Sequence, residues 1–237
     1  MYKMTFKQWL NFKIDLKDIL YQSSLDAIDK GKNKLGDDGL IPEPIGVGCR
    51  IDNNQLQIIN KYVLKNEFNS HLCWYGMNMK TDTLRTSGAV RKDPTLNRVV
   101  FTETLTKNGF PHRGPPNKGY IETLCLTKFA PSPEGNGIDC HRHWEALYSK
   151  CIPIIEDNEL IKSKLIGLPV LYTHDYTEIT PEYLNKKYEE ILETEYDFSR
   201  LFLSQYPPDI QKRIKQRSDN WCPNWCKPSY YQYNFQE

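Results

Sequence analysis

The stretch "PSPEGNGIDCHRHWEALYSKCIPII", residues 131–155, gathers the side chains of this sequence best suited to chemistry. Gly135 and Gly137 lead into Asp139, Cys140, His141, Arg142 and His143, and an apolar run follows. Three kinds of site share such a pattern: a phosphate loop, a metal centre, or a capped helix in an ordinary core. A Walker A loop needs G-x-x-x-x-G-K-[ST], and here no Lys-Ser or Lys-Thr follows Gly137. A dinucleotide fingerprint needs G-x-G-x-x-G after the first strand, and only Gly135-Asn136-Gly137 is present, past mid-chain. A strand, a Gly-bearing loop and a helix start in succession still favour an anion, because free N–H groups and the positive end of the helix dipole point out of the sheet edge. Asp139 is the expected N-cap. An acidic cap competes with phosphate for the same donors, so Arg142 is needed to restore positive potential, and its planar fork suits phosphate oxygens.

Projected as a helix at about 100° per residue, residues 139–150 place Cys140, Trp144, Leu147 and Cys151 on one stripe, the core face. His141, Arg142, Glu145 and Ser149 fall opposite. That face reads either as a solvated surface with an Arg142–Glu145 pair, or as a grip in which Arg142 holds phosphate and Glu145 accepts from neutral hydroxyls. A metal site would use Cys140, His141 and His143, with Cys222 and Cys226 of "WCPNWC". Neighbours one and two apart on a helix diverge, whereas zinc wants converging ligands, so metal is the weaker reading.

These residues need elements to hold them. Apolar spacing predicts helices over 6–29 (Trp9, Leu10, Ile14, Ile19, Leu20) and 53–68 (Leu56, Ile59, Tyr62, Val63). Residues 29–39 form a polar loop and 40–48 an extended stretch. "HLCWYGM" is a strand. A helix capped by Thr81 or Asp82 follows, then another on a Leu96, Val99, Val100 stripe, ended by Asn108-Gly109. "FPHRGPPNKG" is a loop. "YIETLCLT" is a short helix, and "KFAPS", "CIPII" and "LPVLYT" are strands. Thr180, Pro181 and Glu182 open a further helix. Short apolar strands alternating with helices predict βαβ units and a parallel sheet.

Bulk composition narrows the classes. A chain of 237 residues with 39% hydrophobic and 26% charged side chains can bury a sizeable core. The formal charge of +1 leaves no footprint for general nucleic-acid binding. Seven irregularly spaced cysteines suit a reducing compartment. Neither a signal peptide nor a membrane span is read from the sequence, so a soluble cytoplasmic location is expected. The basic run "QKRIKQR" reads as a solvated helix face or an anion patch.

The segment "KFAPSPEGNGIDCHRHWEALYSKCIPII" resembles the donor-binding region of exostosin-like glycosyltransferases, including short forms encoded by large DNA viruses. The likeness rests on Pro133, Gly135, Gly137, Asp139, Arg142, Trp144, Glu145, Ala146, Leu147, Cys151, Ile152 and Pro153. "IPEPIGVG", "LCWYGMNMKTDTLR" and "LPVLYTHDYTEITPEYL" are similar to flanking pieces, so it spans roughly 40–195. The resemblance implies an α/β, GT-B-like architecture. Residues 1–68 would be a reduced N-terminal, acceptor-side region and 69–199 a Rossmann-like domain for the nucleotide sugar. Residues 200–237 would be a helical tail packing back on the N-terminal region. It implies sugar transfer from a nucleoside diphosphate donor, UDP-sugars foremost, to a glycan or other hydroxyl acceptor, with no cofactor and no essential metal. Arg142 would stabilise the departing diphosphate. Asn78, Arg85, Ser132, Gly135, Asn136, Gly137, Asp139, His141 and Glu145 would join it in holding the donor, with Glu145 on the ribose. The catalytic base is left among Asp37, Asp38 and Glu43 on the N-terminal side. A non-catalytic nucleotide-sugar-binding module and a structural α/β domain are the alternatives.

Overall fold

The computed structural model describes residues 2–20, 44–48, 53–77, 98–111, 118–135 and 139–221. Asn78, Arg85, Asn136, Gly137, the three candidate bases, Cys222 and Cys226 lie outside these residues. So do the expected helix beginning at Thr81 or Asp82 and most of the loop at 110–119.

Four parallel strands carry the fold: β2 (His71–Cys73), β3 (Thr127–Pro131), β4 (Ile152–Glu156) and β5 (Leu171–Thr173), side by side in chain order. Phe129 pairs with Ile152 and Ile154 with Leu171. β4 is buried along its whole length. Burial on both faces is why its sequence is a continuous apolar run and not an alternating one. The parallel α/β expectation holds, and the sheet is compatible with a Rossmann-like fold.

Helices supply the cover. α1 (Phe6–Leu10) and α2 (Asn53–Lys65) come first, then α3 (Arg98–Lys107) and α4 (Tyr120–Cys125) between β2 and β3. α5 (His141–Tyr148) joins β3 to β4, α6 (Glu159–Lys164) joins β4 to β5, and α7 (Pro181–Glu193) follows β5. α5 packs on β4, α4 on β3 and α7 on β2. The start of α7 is as expected: the Thr180 side chain accepts from the Tyr183 N–H and Pro181 occupies the first turn. Leu184, Tyr188 and Ile191 then give it one buried face.

The N-terminus does not follow its predicted helix. β1 (Lys3–Thr5) pairs antiparallel with β6 (Glu195–Asp197), and α1 stops at Leu10. The Asn11 amide donates to the Lys7 carbonyl there, and the Ile14 N–H goes to the Asn60 side chain, 3.0 Å away. These bonds outcompete helical ones. Trp9, Ile14, Ile19 and Leu20 still reach the core, the last three from non-helical chain. α3 also presents another face than expected: Phe101 and Leu105 are buried while Val99 is 48% exposed. The final described helix, α8 (Pro208–Trp221), sends Ile210 and Ile214 into the core. Just before it, the Leu203 N–H donates to the Asp18 carbonyl. No helix among the described residues is long and apolar enough to cross a membrane.

Candidate functional site

Strand β3, the glycine loop and α5 follow one another as the sequence suggests, but the cap is different. Cys140 occupies the N-cap position with extended backbone, and its side chain caps nothing. Asp139 lies one residue outside the helix, 2% exposed, with both oxygens committed. Oδ1 accepts from the Trp144 indole at 2.8 Å. Oδ2 accepts from the Ile45 N–H at 3.0 Å and the Lys164 ammonium at 3.1 Å. The carboxylate is therefore an anchor paired with Lys164, and it does not cap the helix. The competition foreseen between an acidic cap and an anion does not arise.

The solvated alternative for this helix face does not hold, because the face is largely covered. Glu145 and Ser149 are buried, and no ion pair joins Arg142 to Glu145. An extended segment, residues 44–48, runs along α5. Beyond the Ile45–Asp139 bond, the Gly46 carbonyl accepts from His141 Nδ1 at 2.8 Å and the Gly48 N–H donates to Glu145 Oε1 at 3.1 Å. Glu145 Oε2 accepts from the Tyr120 hydroxyl at 2.7 Å. Burial, with Glu145 next, holds the Tyr120 pKa well above its usual value, so the hydroxyl stays a donor. Gly46 is required where it stands. Its φ is +69°, and a Cβ there would sit 2.6 Å from the Leu20 carbonyl oxygen.

Arg142 reaches across the carboxyl edge of the sheet to the end of β2. Its guanidinium lies 5.6 Å from the Trp74 ring and 5.5 Å from the Tyr120 ring, and Nη2 donates to the Gly76 carbonyl at 2.5 Å. Nη1 is buried without a hydrogen-bond partner. A buried, unsatisfied N–H costs about 1–3 kcal/mol and calls for an explanation. The arginine is fixed by two aromatic rings and a carbonyl, with Nη1 left over.

The other described residues of the predicted set contact neighbouring protein groups. The Ser132 hydroxyl shares a 2.6 Å hydrogen bond with His143 Nδ1, both fully buried, and the Ser132 N–H pairs with the Ile154 carbonyl. The Gly135 N–H is directed at Cys140, whose thiol burial pushes up to about 11 and which donates to the Pro133 carbonyl. His141 and His143 are thus held by different partners, and among the described residues no group of three or more His, Cys, Asp or Glu is arranged for a metal ion.

Sequence reading missed a second set at the same edge. Arg98 donates to the Glu134 carbonyl at 3.2 Å and the Pro133 carbonyl at 3.3 Å. The Glu134 N–H donates to Glu156 Oε2 at 2.8 Å, Asn158 donates to Glu134 Oε1, and the Tyr176 hydroxyl donates to Glu156 Oε1. Tyr176 in turn stacks on Phe101. No periodicity links residues 98, 134, 156 and 176, because they meet only when the strand ends line up. The one signal was Glu156, an acid closing an otherwise apolar strand.

Compared with known proteins, the chain matches no family model and no curated protein sequence.

Proposed function

We propose that this chain is a glycosyltransferase. It moves a sugar from a nucleoside diphosphate donor, UDP-sugars foremost, to a hydroxyl acceptor such as a glycan, without an essential metal. The reading places the chain on a GT-B plan with a Rossmann-type donor domain and a reduced N-terminal lobe. The observation that carries it is the unpartnered Nη1 of Arg142, in the first turn of the helix that follows β3, at the carboxyl edge of a parallel sheet. Ligands of open α/β sheets gather at that edge. In the reaction the bond from the anomeric carbon to the diphosphate oxygen breaks, and the acceptor oxygen bonds to that carbon and gives its proton to a base. The leaving diphosphate gains charge, and a fixed guanidinium costs no reorganisation to meet it. Glu145 and His141 are tied to residues 46 and 48, so they shape the wall of such a site through the segment they hold.

The test is a thermal-shift screen against UDP, GDP and their sugars, with calorimetry on any hit. A ligand at 100 times its Kd adds about 2.7 kcal/mol, or roughly 5–10 °C for a chain of this size. Arg142→Met is expected to abolish the shift while the apo melting temperature moves by a few degrees at most. No shift with any nucleotide in the wild type refutes the reading. Release of free nucleotide from the sugar donor separates an enzyme from a binding module.

A further inference from the structure

An arginine three residues before a glutamate on one helix ordinarily pairs with it, because those positions share a face. Arg142 and Glu145 stand at that spacing on α5, yet no ion pair joins them. Glu145 is 7% exposed, and both its oxygens are taken by neutral donors. The Gly48 N–H lies 3.1 Å from Oε1 and the Tyr120 hydroxyl 2.7 Å from Oε2. Arg142 in turn donates to the Gly76 carbonyl, and its guanidinium lies against the Tyr120 and Trp74 rings. None of these partners carries a counter-charge. Among the described residues the cation is therefore held by a carbonyl dipole and two π-faces, and Nη1 has no partner.

Tyr120 is common to both arrangements. Its hydroxyl holds the acid and its ring lies against the base. Burial, with Glu145 next, keeps the phenol protonated, so the hydroxyl remains a donor. A buried carboxylate that loses one hydrogen bond leaves an uncompensated acceptor, and it is strongly driven to a replacement donor. For Glu145 the donor one turn back on the same helix face is Arg142. A charge-assisted bond between the two would occupy the guanidinium that a phosphate needs.

We propose that Tyr120 is a positioning residue that diverts Glu145 from Arg142 and so keeps the charge of the arginine available to a diphosphate. This role rests on the donor-binding reading above. It has a consequence that a plain packing contact lacks: the hydroxyl matters only while residue 145 carries a charge. Removing the hydroxyl disables Arg142 in the wild-type background and changes little in the Glu145→Gln background.

The experiment is a double-mutant cycle on the full chain. Calorimetry reads the Kd for inorganic pyrophosphate in wild type, Tyr120→Phe, Glu145→Gln and the variant carrying both changes, with UDP measured on the wild type alongside. Pyrophosphate has no ribose, so a contact from residue 145 to a sugar does not enter. The expected result is a Kd raised at least tenfold in Tyr120→Phe and, in the doubly changed variant, a Kd within about threefold of that of Glu145→Gln. Phenylalanine keeps a ring beside Arg142, so the loss belongs to the hydroxyl. If Tyr120→Phe alone fails to fold, Glu145→Gln is compared with the doubly changed variant: equal Kd values support the role, and a further tenfold loss overturns it. A wild-type Kd in Tyr120→Phe, or a loss that Glu145→Gln does not restore, overturns the role of Tyr120 and leaves the donor-binding reading standing. Pyrophosphate binding without UDP binding in the wild type overturns the nucleotide-donor reading alone, and the cycle still decides the role of Tyr120. Absence of binding to either ligand in the wild type overturns both.

Discussion

Lys150 offers the sharpest test of the physical account, because it depends on no ligand. Its side chain is fully buried, its ammonium has no hydrogen-bond partner, and it lies 3.2 Å above the Trp9 ring. Burying an unpaired ammonium costs several kcal/mol after relaxation, while a desolvated cation–π contact returns about 2 kcal/mol. Methionine has similar length, keeps the packing against Trp9 and needs no counter-charge. Lys150→Met should therefore stabilise the fold by about 1–4 kcal/mol, the range seen when buried ions are replaced by apolar residues of similar volume. At roughly 2–4 °C per kcal/mol for this size, a gain in the middle of that range raises the melting temperature by about 4–10 °C. The left-handed backbone at this position, φ 62°, is equally unfavourable for both residues and cancels.

The pH dependence fixes the sign. Burial pulls the Lys150 pKa well below its ordinary 10.5, with the Cys125 thiol a minor opposing influence. Between the folded and unfolded pKa values the unfolded chain binds the extra proton, so the wild type loses stability as pH falls through that window. It regains it as pH rises to the unfolded value. The advantage of Lys150→Met should thus be largest at neutral and lower pH and shrink toward pH 10. Urea denaturation at intervals from pH 6 to 10 reads this directly. A variant no more stable than wild type at pH 7, or an advantage that does not change with pH, refutes the reasoning.

The remaining expectations concern single contacts. Asp139→Asn leaves the Lys164 ammonium buried beside a neutral amide and should cost about 3–5 kcal/mol in denaturant unfolding, with part recovered by adding Lys164→Met. Gly46→Ala forces a side chain into left-handed backbone and into contact with the Leu20 carbonyl, so a loss of at least about 1–2 kcal/mol is expected by thermal unfolding. Arg142→Met should remove UDP-induced stabilisation with little change in the apo protein.

Local chemistry made part of this molecule readable in advance. The apolar runs at 127–131 and 152–156 are strands because both their faces are covered, and Thr180-Pro181 starts a helix by its own hydrogen bond and fixed φ. Trp144, Leu147 and Cys151 were assigned to the core by spacing, and they are there. The N-cap reading of Asp139 and the solvated reading of Glu145 failed because their partners, Ile45 and Gly48, lie more than 90 residues away in the chain. A helix projection cannot see a segment laid over its polar face. The predicted helix beyond Leu10 failed for a similar reason: the Ile14 N–H finds the Asn60 side chain, and tertiary bonding overrides spacing.

The segment at 44–48 bears on how this protein can be taken apart. It belongs by sequence to the part before the sheet, yet it supplies the N–H that completes Asp139, the carbonyl that holds His141 and the N–H that completes Glu145. A fragment beginning after residue 48 would leave two half-satisfied carboxylates, one just before and one on the helix meant to carry the site. Domain mapping by N-terminal deletion would then report lost folding where the question asked was lost acceptor binding. The useful cut lies upstream, before Pro44.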